Sequence, residues 1–396
     1  MRTLLLLALA AAGEDERALP AGTELSIRLI QPIAHHSAGV GDAVEAVLDA
    51  PVRVDGAPVV PAGWKVRGTV MAVGKVGADD HRPVLGLQFG QLVDESGRAT
   101  GVNARLLAVD NARETIDATG RILGLPPHRA LPGEAEALLL LAAHLHPITL
   151  GVVEGAHLAE RKATEAPIHY GSGVGMRLAL TEPVAIRAGP VLEPTASVQE
   201  QAELRSLVAP QPLRAMAAKN GEPSDFTNVL IGSADAIARA FIEAGWTRAL
   251  PGGVKADSKA FLALAERHGY QPAPVSLLTL DGQRPDLVFE KQNNTLARRH
   301  HVRIWARPGQ FRGRPVFLGA ATHDVGIFFS AQERTFTHRI DSRIDLERDK
   351  IEDDLAFAGA VEARTLVDRP QVPHSGTNAA GDSVETDGAV VALVLR

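Results

Sequence analysis

Between Leu19 and about Ile186, apolar residues recur at every second position in short runs. GTELSIRLI puts Leu25, Ile27 and Leu29 on one face, the period-two pattern of a half-buried strand. WKVRGTVMAV repeats it with Val66, Val70 and Ala72, and Gly68 falls where a bulge or a close backbone approach is expected. Further alternating runs lie at 83–89 (PVLGLQF), 101–109 (GVNARLLAV) and 114–123 (ETIDATGRIL). Several short strands at this spacing predict a β-barrel or sandwich rather than a parallel sheet. GTELSIRLIQPI (22–33) and GVGMRLALTEPV (173–184) align without a gap, Leu25 with Met176, Ile27 with Leu178 and Pro32 with Pro183. Two such strands at the start and end of one domain predict a pairing that closes a barrel and removes exposed edges. A helical insert near 134–146 would cover one end.

From Arg187 to Ser224 the alternation dissolves into Pro, Glu, Gln and Ala, which reads as a linker with one short helix near Val198 to Leu207. A different pattern then begins. TNVLIG (227–232) is a strand and Ser233 a helix cap. Ile237, Ala240, Phe241 and Ala244 follow at helical spacing, with Gly245 as the stop. A second helix is expected over 257–268. Strands are expected at 286–292, 299–305, 315–324 and 334–340, and a last helix after them. Ser342 to Asp345 fits a capping box at its start. Ile344, Ile351, Leu355 and Ala358 form its apolar stripe, interrupted by Glu347 and Arg348. A charged pair on an apolar side needs partners, and Asp341 is the expected one for Arg348. The predicted fold is therefore an N-terminal all-β barrel-like domain (19–187), a linker (188–224) and a C-terminal α+β domain (225–396).

Composition narrows the function classes. A chain of 396 residues calls for more than one domain, and 45% hydrophobic with 22% charged residues is a globular balance. A net charge of -6 argues against bulk nucleic-acid binding, so no nucleic-acid partner is expected. The absence of cysteine excludes disulfides, thiolate metal sites and cysteine nucleophiles. MRTLLLLALAAAG offers a basic n-region at Arg2, an apolar stretch from Leu4 to Ala12 and a small-residue cleavage site. Residues 1–18 are accordingly read as a signal peptide and short leader, with export to the periplasm or beyond as the expectation. The leader is too short to span a bilayer, and LLLLAAHLHPITLGVV (138–153), with its two histidines and proline, reads as a buried helix and a turn. No transmembrane span is expected in the mature chain.

The candidate chemistry lies in the C-terminal half. His300 shares a strand face with Val302 and Ile304, and His338 with Phe336 and Ile340. His323 goes with Phe317, Gly319 and Ala321, although the opposite face is just as apolar. If these strands are neighbours, three imidazoles with Asp324 or Asp341 would suit a zinc-class or other divalent site with an open position. Against this, strand histidines are usually core residues, and no HExxH spacing is present. The HLH at 144–146 sits in the apolar insert and is read as structural. Six arginines between Arg298 and Arg314 could form an anion patch, because their forks match phosphate geometry. The candidate catalytic residues are thus His300, His323, Asp324, His338 and Asp341, and the candidate ligand-binding residues Arg303, Arg348 and Glu347. No cofactor is assigned. There is no GxSxG elbow and no phosphate-binding glycine loop.

Two resemblances accompany these readings. LPAGTELSIRLIQPI and VVPAGWKVRGTV resemble the β-barrel domain of TrbI-type conjugal-transfer proteins, which implies a β-rich envelope module. TNVLIGSADAIARAFIEAGW, PDLVFEKQ, RRHHVRIW, PVFLGAATHDVGI, THRIDSRIDLERDKIEDDLAFAGAV and GDSVETDGAVVAL occur in the order found in the LssY-like C-terminal domain family, over roughly 225–396. That family is named from a type I secretion locus, and the resemblance implies an envelope role without a mechanism. The expected function is an exported binding or assembly module, with envelope or secretion-system proteins or phosphorylated lipid head groups as partners. The alternative is a hydrolase, with or without a metal, acting on a phosphorylated or lipid-linked envelope substrate.

Overall fold

The computed structural model describes residues 15–75, 82–110, 112–125, 168–217, 223–251, 274–275, 278–291, 299–330 and 335–396. The leader up to residue 14, the insert near 134–146 and the helix expected over 257–268 lie outside the described residues. Asp15–Leu19, read as the end of the leader and the residue after it, is a strand paired antiparallel with Val184–Ala188.

The alternating runs form six antiparallel strands: β1 (Glu24–Leu29), β2 (Ala43–Leu48), β3 (Lys65–Lys75), β4 (Pro83–Val93), β5 (Ala99–Val109) and β6 (Gly175–Leu180). Each pairs with the next, and β6 pairs back to β1, so the sheet is a closed ring. The closing pair is the one the internal similarity predicted, with Met176 opposite Ile27 and Leu178 opposite Leu25. Inward-facing Leu25, Ile27, Val66, Phe89, Leu106 and Leu178 share one buried core. ETIDATGRIL folds as a hairpin, Thr115–Ile116 against Arg121–Leu123, and the latter strand extends the sheet beside β4. A side chain at Gly68 would meet the Gln88 carbonyl at 2.5 Å and the Phe89 ring at 2.9 Å, and the β3–β4 register shifts there. The glycine is kept by close approach.

The second unit is a mixed sheet covered on both faces. Its helices are α1 (Val198–Val208), α2 (Ala234–Glu243) and α3 (Asp345–Phe357), and its main strands are β7 (Pro223–Ile231), β8 (Leu287–Lys291), β9 (Arg299–Phe311), β10 (Arg314–Ser330), β11 (Thr335–Ile340), β12 (Val361–Asp368) and β13 (Ala389–Leu395). β7 lies between β10, antiparallel, and β13, parallel. β8 and β9 extend the sheet beyond β10, β11 pairs with the far end of β10, and β12 pairs with β13. On one face α1 packs Leu204 and Val208 against Trp305, Leu318 and Val229. On the other, Phe241 of α2 and Ile351 and Leu355 of α3 cover Val302, Ile304 and Phe317.

Two local expectations are corrected. The segment read as a linker belongs to this unit: Ser197 and Glu200 form a capping box on α1, and Arg214–Ala217 pairs with β7. Its Pro and Gln content concealed two apolar residues, Leu204 and Val208, at i and i+4. The box predicted at Ser342–Asp345 does not form. Ile344 holds the cap position without a side-chain bond, and the Asp345 carboxylate instead accepts from the Asp387 backbone N–H at 2.6 Å and the Thr386 hydroxyl at 2.7 Å. The loop at 385–387 draws it away from its own helix end. Ser233, in contrast, caps α2 as expected, accepting from Ala236 N–H at 3.1 Å. Among the described residues no helix is long and apolar enough to cross a membrane.

The tight contact at Gly68 gives a stability prediction. Gly68→Ala should cost about 1–3 kcal/mol, because the new methyl meets backbone that cannot swing aside. Gly90→Ala, with open space around its Cβ, should be near neutral. Urea denaturation of both variants checks the difference, and equal stability of the two would refute the close-approach account.

Candidate functional site

The β9–β10 register sets His300 directly opposite His323, and their rings stack at 4.1 Å with planes 19° apart. Strand alternation then puts both on the face covered by α3. Glu347, in the first turn of α3, brings Oε2 to 2.7 Å from His300 Nδ1. The other ring nitrogen, Nε2, lies 2.7 Å from Oδ1 of Asp110, the residue that follows barrel strand β5. One imidazole thus joins carboxylates from both halves of the chain.

The contact continues down α3 at helical spacing. Lys350 Nζ is 3.2 Å from Asp110 Oδ2. One turn on, Asp354 Oδ1 accepts from Arg28 of β1 at 2.7 Å, while Oδ2 accepts from Lys291 Nζ and Trp246 Nε1, both at 2.9 Å. Arg28 also reaches Asp49 at 3.4 Å. The barrel therefore offers an acid to the cations of the second unit, and a base to its acid.

Charge states follow from these partners. Burial alone would push the His300 pKa down, but Asp110 and Glu347 overcome it and hold the imidazolium at about 9. His323 is pushed down to about 4 by burial and by the charge on His300. Burial disfavours the Asp110 carboxylate, yet His300 and Lys350 keep its pKa well below the usual range. Asp354 is likewise opposed by burial and brought down to about 2 by Lys350, Lys291 and Arg28. Burial, then the neighbouring Glu352, raises Asp353 to about 8, so it holds a proton at neutral pH.

The groups border a cleft of about 520 Å³ between the barrel end and α3. His300, His323, Asp341, Glu347 and Lys350 line it, with Asp110 and Met176 from the barrel side. Carboxylate residues outnumber lysine and arginine eight to three in the lining. Asp110, His300 and His323 bring potential metal-ligand atoms within 4.8 Å of one another.

Other candidate residues are distributed differently. Asp324, one position after His323, falls on the opposite face, where it accepts from His301 Nε2 at 2.8 Å and Arg299 Nε at 3.3 Å. Arg299 also meets Glu290 at 3.0 Å, and burial pushes His301 to about 4 despite Asp324. Arg303 is buried beside this second cluster, at 2% exposure, and does not line the cleft. Asp341 lines the cleft and its backbone N–H donates to the His323 carbonyl at 2.9 Å. His338 stands on β11 opposite Ile327, and its side chain lies outside the described residues. Arg348 does not pair with Asp341. It points to the 387–389 loop, where its guanidinium meets Asp387 at 2.7 and 3.0 Å, and to Asp349 at 2.9 Å. Glu347 and Arg348 are adjacent in sequence but serve separate contacts. The arginine run does not gather into an anion patch, the less favoured of its two readings beside a solvated strand edge: Arg307, Arg312 and Arg314 are engaged by Asp281, Glu200 with Glu203, and Glu362 respectively.

Asp110, Arg28, Lys350 and Asp354 were absent from the sequence-based site. The first two sit in a different domain, and no local motif marks them. The spacing of Glu347, Lys350 and Asp354 at i, i+3 and i+7 was the legible signal.

The sequence model of the LssY C-terminus matches residues 209–390. That stretch, a little under half of the chain, is similar to the LssY C-terminus and is called the LssY domain below. The match takes in the β9–β10 histidines and α3 of the site, and begins ahead of the boundary expected at 225. Asp110 and Arg28 lie outside the LssY domain. Among solved structures, that of ComB10 of the Com type IV secretion system of Helicobacter pylori matches at 16% identity, covering 42% of this chain and 89% of that one. Its TM-score of 0.23 is too low to support a structural argument. No curated protein matches.

Asp354 supplies the test of this contact. Asp354→Asn leaves Arg28, Lys291 and Lys350 facing one another, and should cost about 3–5 kcal/mol in urea unfolding. Its folded pKa lies below the ordinary value of 3.8, so its contribution is complete above that value and is lost as pH falls through about 2. Stability should therefore drop more steeply between pH 4 and pH 2 in the parent protein than in Asp354→Asn. Parallel acid curves would refute the pairing.

Proposed function

We propose that the chain is a non-catalytic binding or assembly module of the cell envelope, in which the barrel and the LssY domain jointly form a receiving cleft. The observation that carries this reading is that both nitrogens of His300 are engaged by carboxylates from the two units. A histidine positioned for acid–base work keeps one nitrogen toward a substrate, whereas this one is held as a joint. Excess carboxylate in the lining favours a basic segment of a partner protein over a phosphorylated head group. The leader MRTLLLLALAAAG supports export to the periplasm or the cell surface.

A second reading, a hydrolase of phosphorylated or lipid-linked envelope substrates, has one observation in its favour. His323 is neutral, half-buried and on the cleft wall beside His300.

Binding and turnover measurements on the purified full chain separate the two. The module reading predicts that an oligolysine peptide binds with an affinity that falls as salt rises, and that charge reversal at exposed Asp349 (Asp349→Lys) weakens it several-fold. It also predicts no hydrolysis of nitrophenyl phosphomonoesters or diesters, with or without added Zn²⁺ or Mn²⁺. Turnover that disappears in His323→Ala would overturn it in favour of the hydrolase. Preferential binding to phosphatidic acid vesicles, with none to the peptide, would overturn the choice of partner.

A further inference from the structure

We infer that Asp110, His300 and His323 form a zinc-class divalent metal site at the junction, with Glu347 orienting His300 from behind. This goes beyond the module reading and does not rest on it. Potential ligand atoms of the three residues lie within 4.8 Å of one another. Two imidazoles and one carboxylate are a donor set that suits zinc or a related transition metal and keeps further positions open. The remaining position here faces the cleft that all three residues line.

The surroundings of His300 and Asp110 are those of an oriented ligand pair. Ligating histidines usually give their second nitrogen to a carboxylate, which fixes the ring and raises its basicity. Glu347 Oε2 does this at His300 Nδ1, at 2.7 Å, leaving Nε2 directed at Asp110. Lys350 holds Asp110 by Oδ2, so that Oδ1 is the oxygen turned toward the histidine. His323 stacks on His300, and because imidazole lone pairs lie in the ring plane, its ring has to turn out of the stack for both nitrogens to converge on one ion.

An independent observation points to a cation or a water on this wall. Glu347 is 3% exposed, and its second oxygen, Oε1, is buried without a hydrogen-bond partner among the described residues. A buried carboxylate oxygen left in this way is costly unless a cation or a donor meets it. A metal held by His300 and Asp110 would place positive charge and bound water beside it. Tetrahedral zinc at bond lengths of about 2.1 Å separates its ligand atoms by roughly 3.4 Å. The His300–Asp110 contact of 2.7 Å therefore has to open by roughly 0.7 Å, and the ion takes the place of the proton on His300 Nε2, which is released to solvent on binding. Because Asp110 belongs to the barrel and the histidines to the LssY domain, the ion would also fasten the two together.

The test uses the purified full chain, stripped with a chelator and titrated with Co²⁺ and Zn²⁺. The visible bands of tetrahedral Co²⁺ and the heat of Zn²⁺ binding should both report a single equivalent. His323→Ala and the isosteric Asp110→Asn should each remove the bands. Glu347→Gln should weaken Zn²⁺ binding about 10–100-fold. His374→Ala, at an exposed histidine elsewhere, should bind as the parent does. Circular dichroism establishes that each variant is folded. His323 lies on the cleft wall, and so tests the site even if Asp110→Asn unfolds the junction. No binding by the parent protein, or unchanged binding in folded His323→Ala, would overturn the site. Either result would leave the module reading standing.

Discussion

The structure depends on one contact, the His300 imidazolium held between Asp110 and Glu347. A charge at 3% exposure is stable only with close opposite charges, because desolvation costs several kcal/mol. Glu347 is supplied by the domain's own helix, whereas Asp110 arrives from the barrel. Arg28 and Asp354 repeat the exchange with the signs reversed. Neither unit is electrostatically complete at this surface alone. Removing the barrel would leave His300 and Lys350 each short of one acid, and removing the domain would take from Asp110 its His300 and Lys350 contacts and leave Arg28 with Asp49 alone. Paired charges of opposite polarity on each side also fix the register of docking, since a slipped arrangement would bring like charges together.

That constraint explains why the cleft lies where it does. The ionic column runs along one edge of α3, and the same helix buries Ile351 and Leu355 against the sheet on its inner side. The polar edge is therefore rigidly supported, while the barrel meets it through strand ends rather than through an apolar face. What is left between them is a water-sized to ligand-sized space walled by carboxylates. Rigid walls that belong to two domains are a usual setting for recognition. Here they couple whatever occupies the cleft to the way the halves are joined.

How far this was legible in the sequence differs by level. The barrel strands announced themselves because one face is buried and the other is wet, so Leu25, Ile27 and Leu29 alternate cleanly. The self-similarity of 22–33 and 173–184 even named the closing pair. The His300–His323 pairing was legible as a shared face, because strand parity is strict. Asp324 was kept as a candidate beside it because both faces of that strand are apolar, and the structure puts it on the other face. The partners of Arg348 were not legible: several acids lie near it in sequence, and only the path of the 385–389 loop selects Asp387. Asp110 was not legible at all, since it is separated from His300 by 190 residues and follows a strand with no local motif. Joints between domains are chosen by docking geometry, which local patterning does not encode.

The most direct measurement is a double-mutant cycle across the joint. Asp110→Asn, His300→Gln and the combined variant would be compared with the parent by urea unfolding of the chelator-treated full chain. The account predicts a coupling of about 1.5 kcal/mol or more, as for close charge pairs across an interface. Losses that simply add, to within about 0.5 kcal/mol, would contradict it, because Asp110 and His300 would then be neighbours that do not hold the two units together.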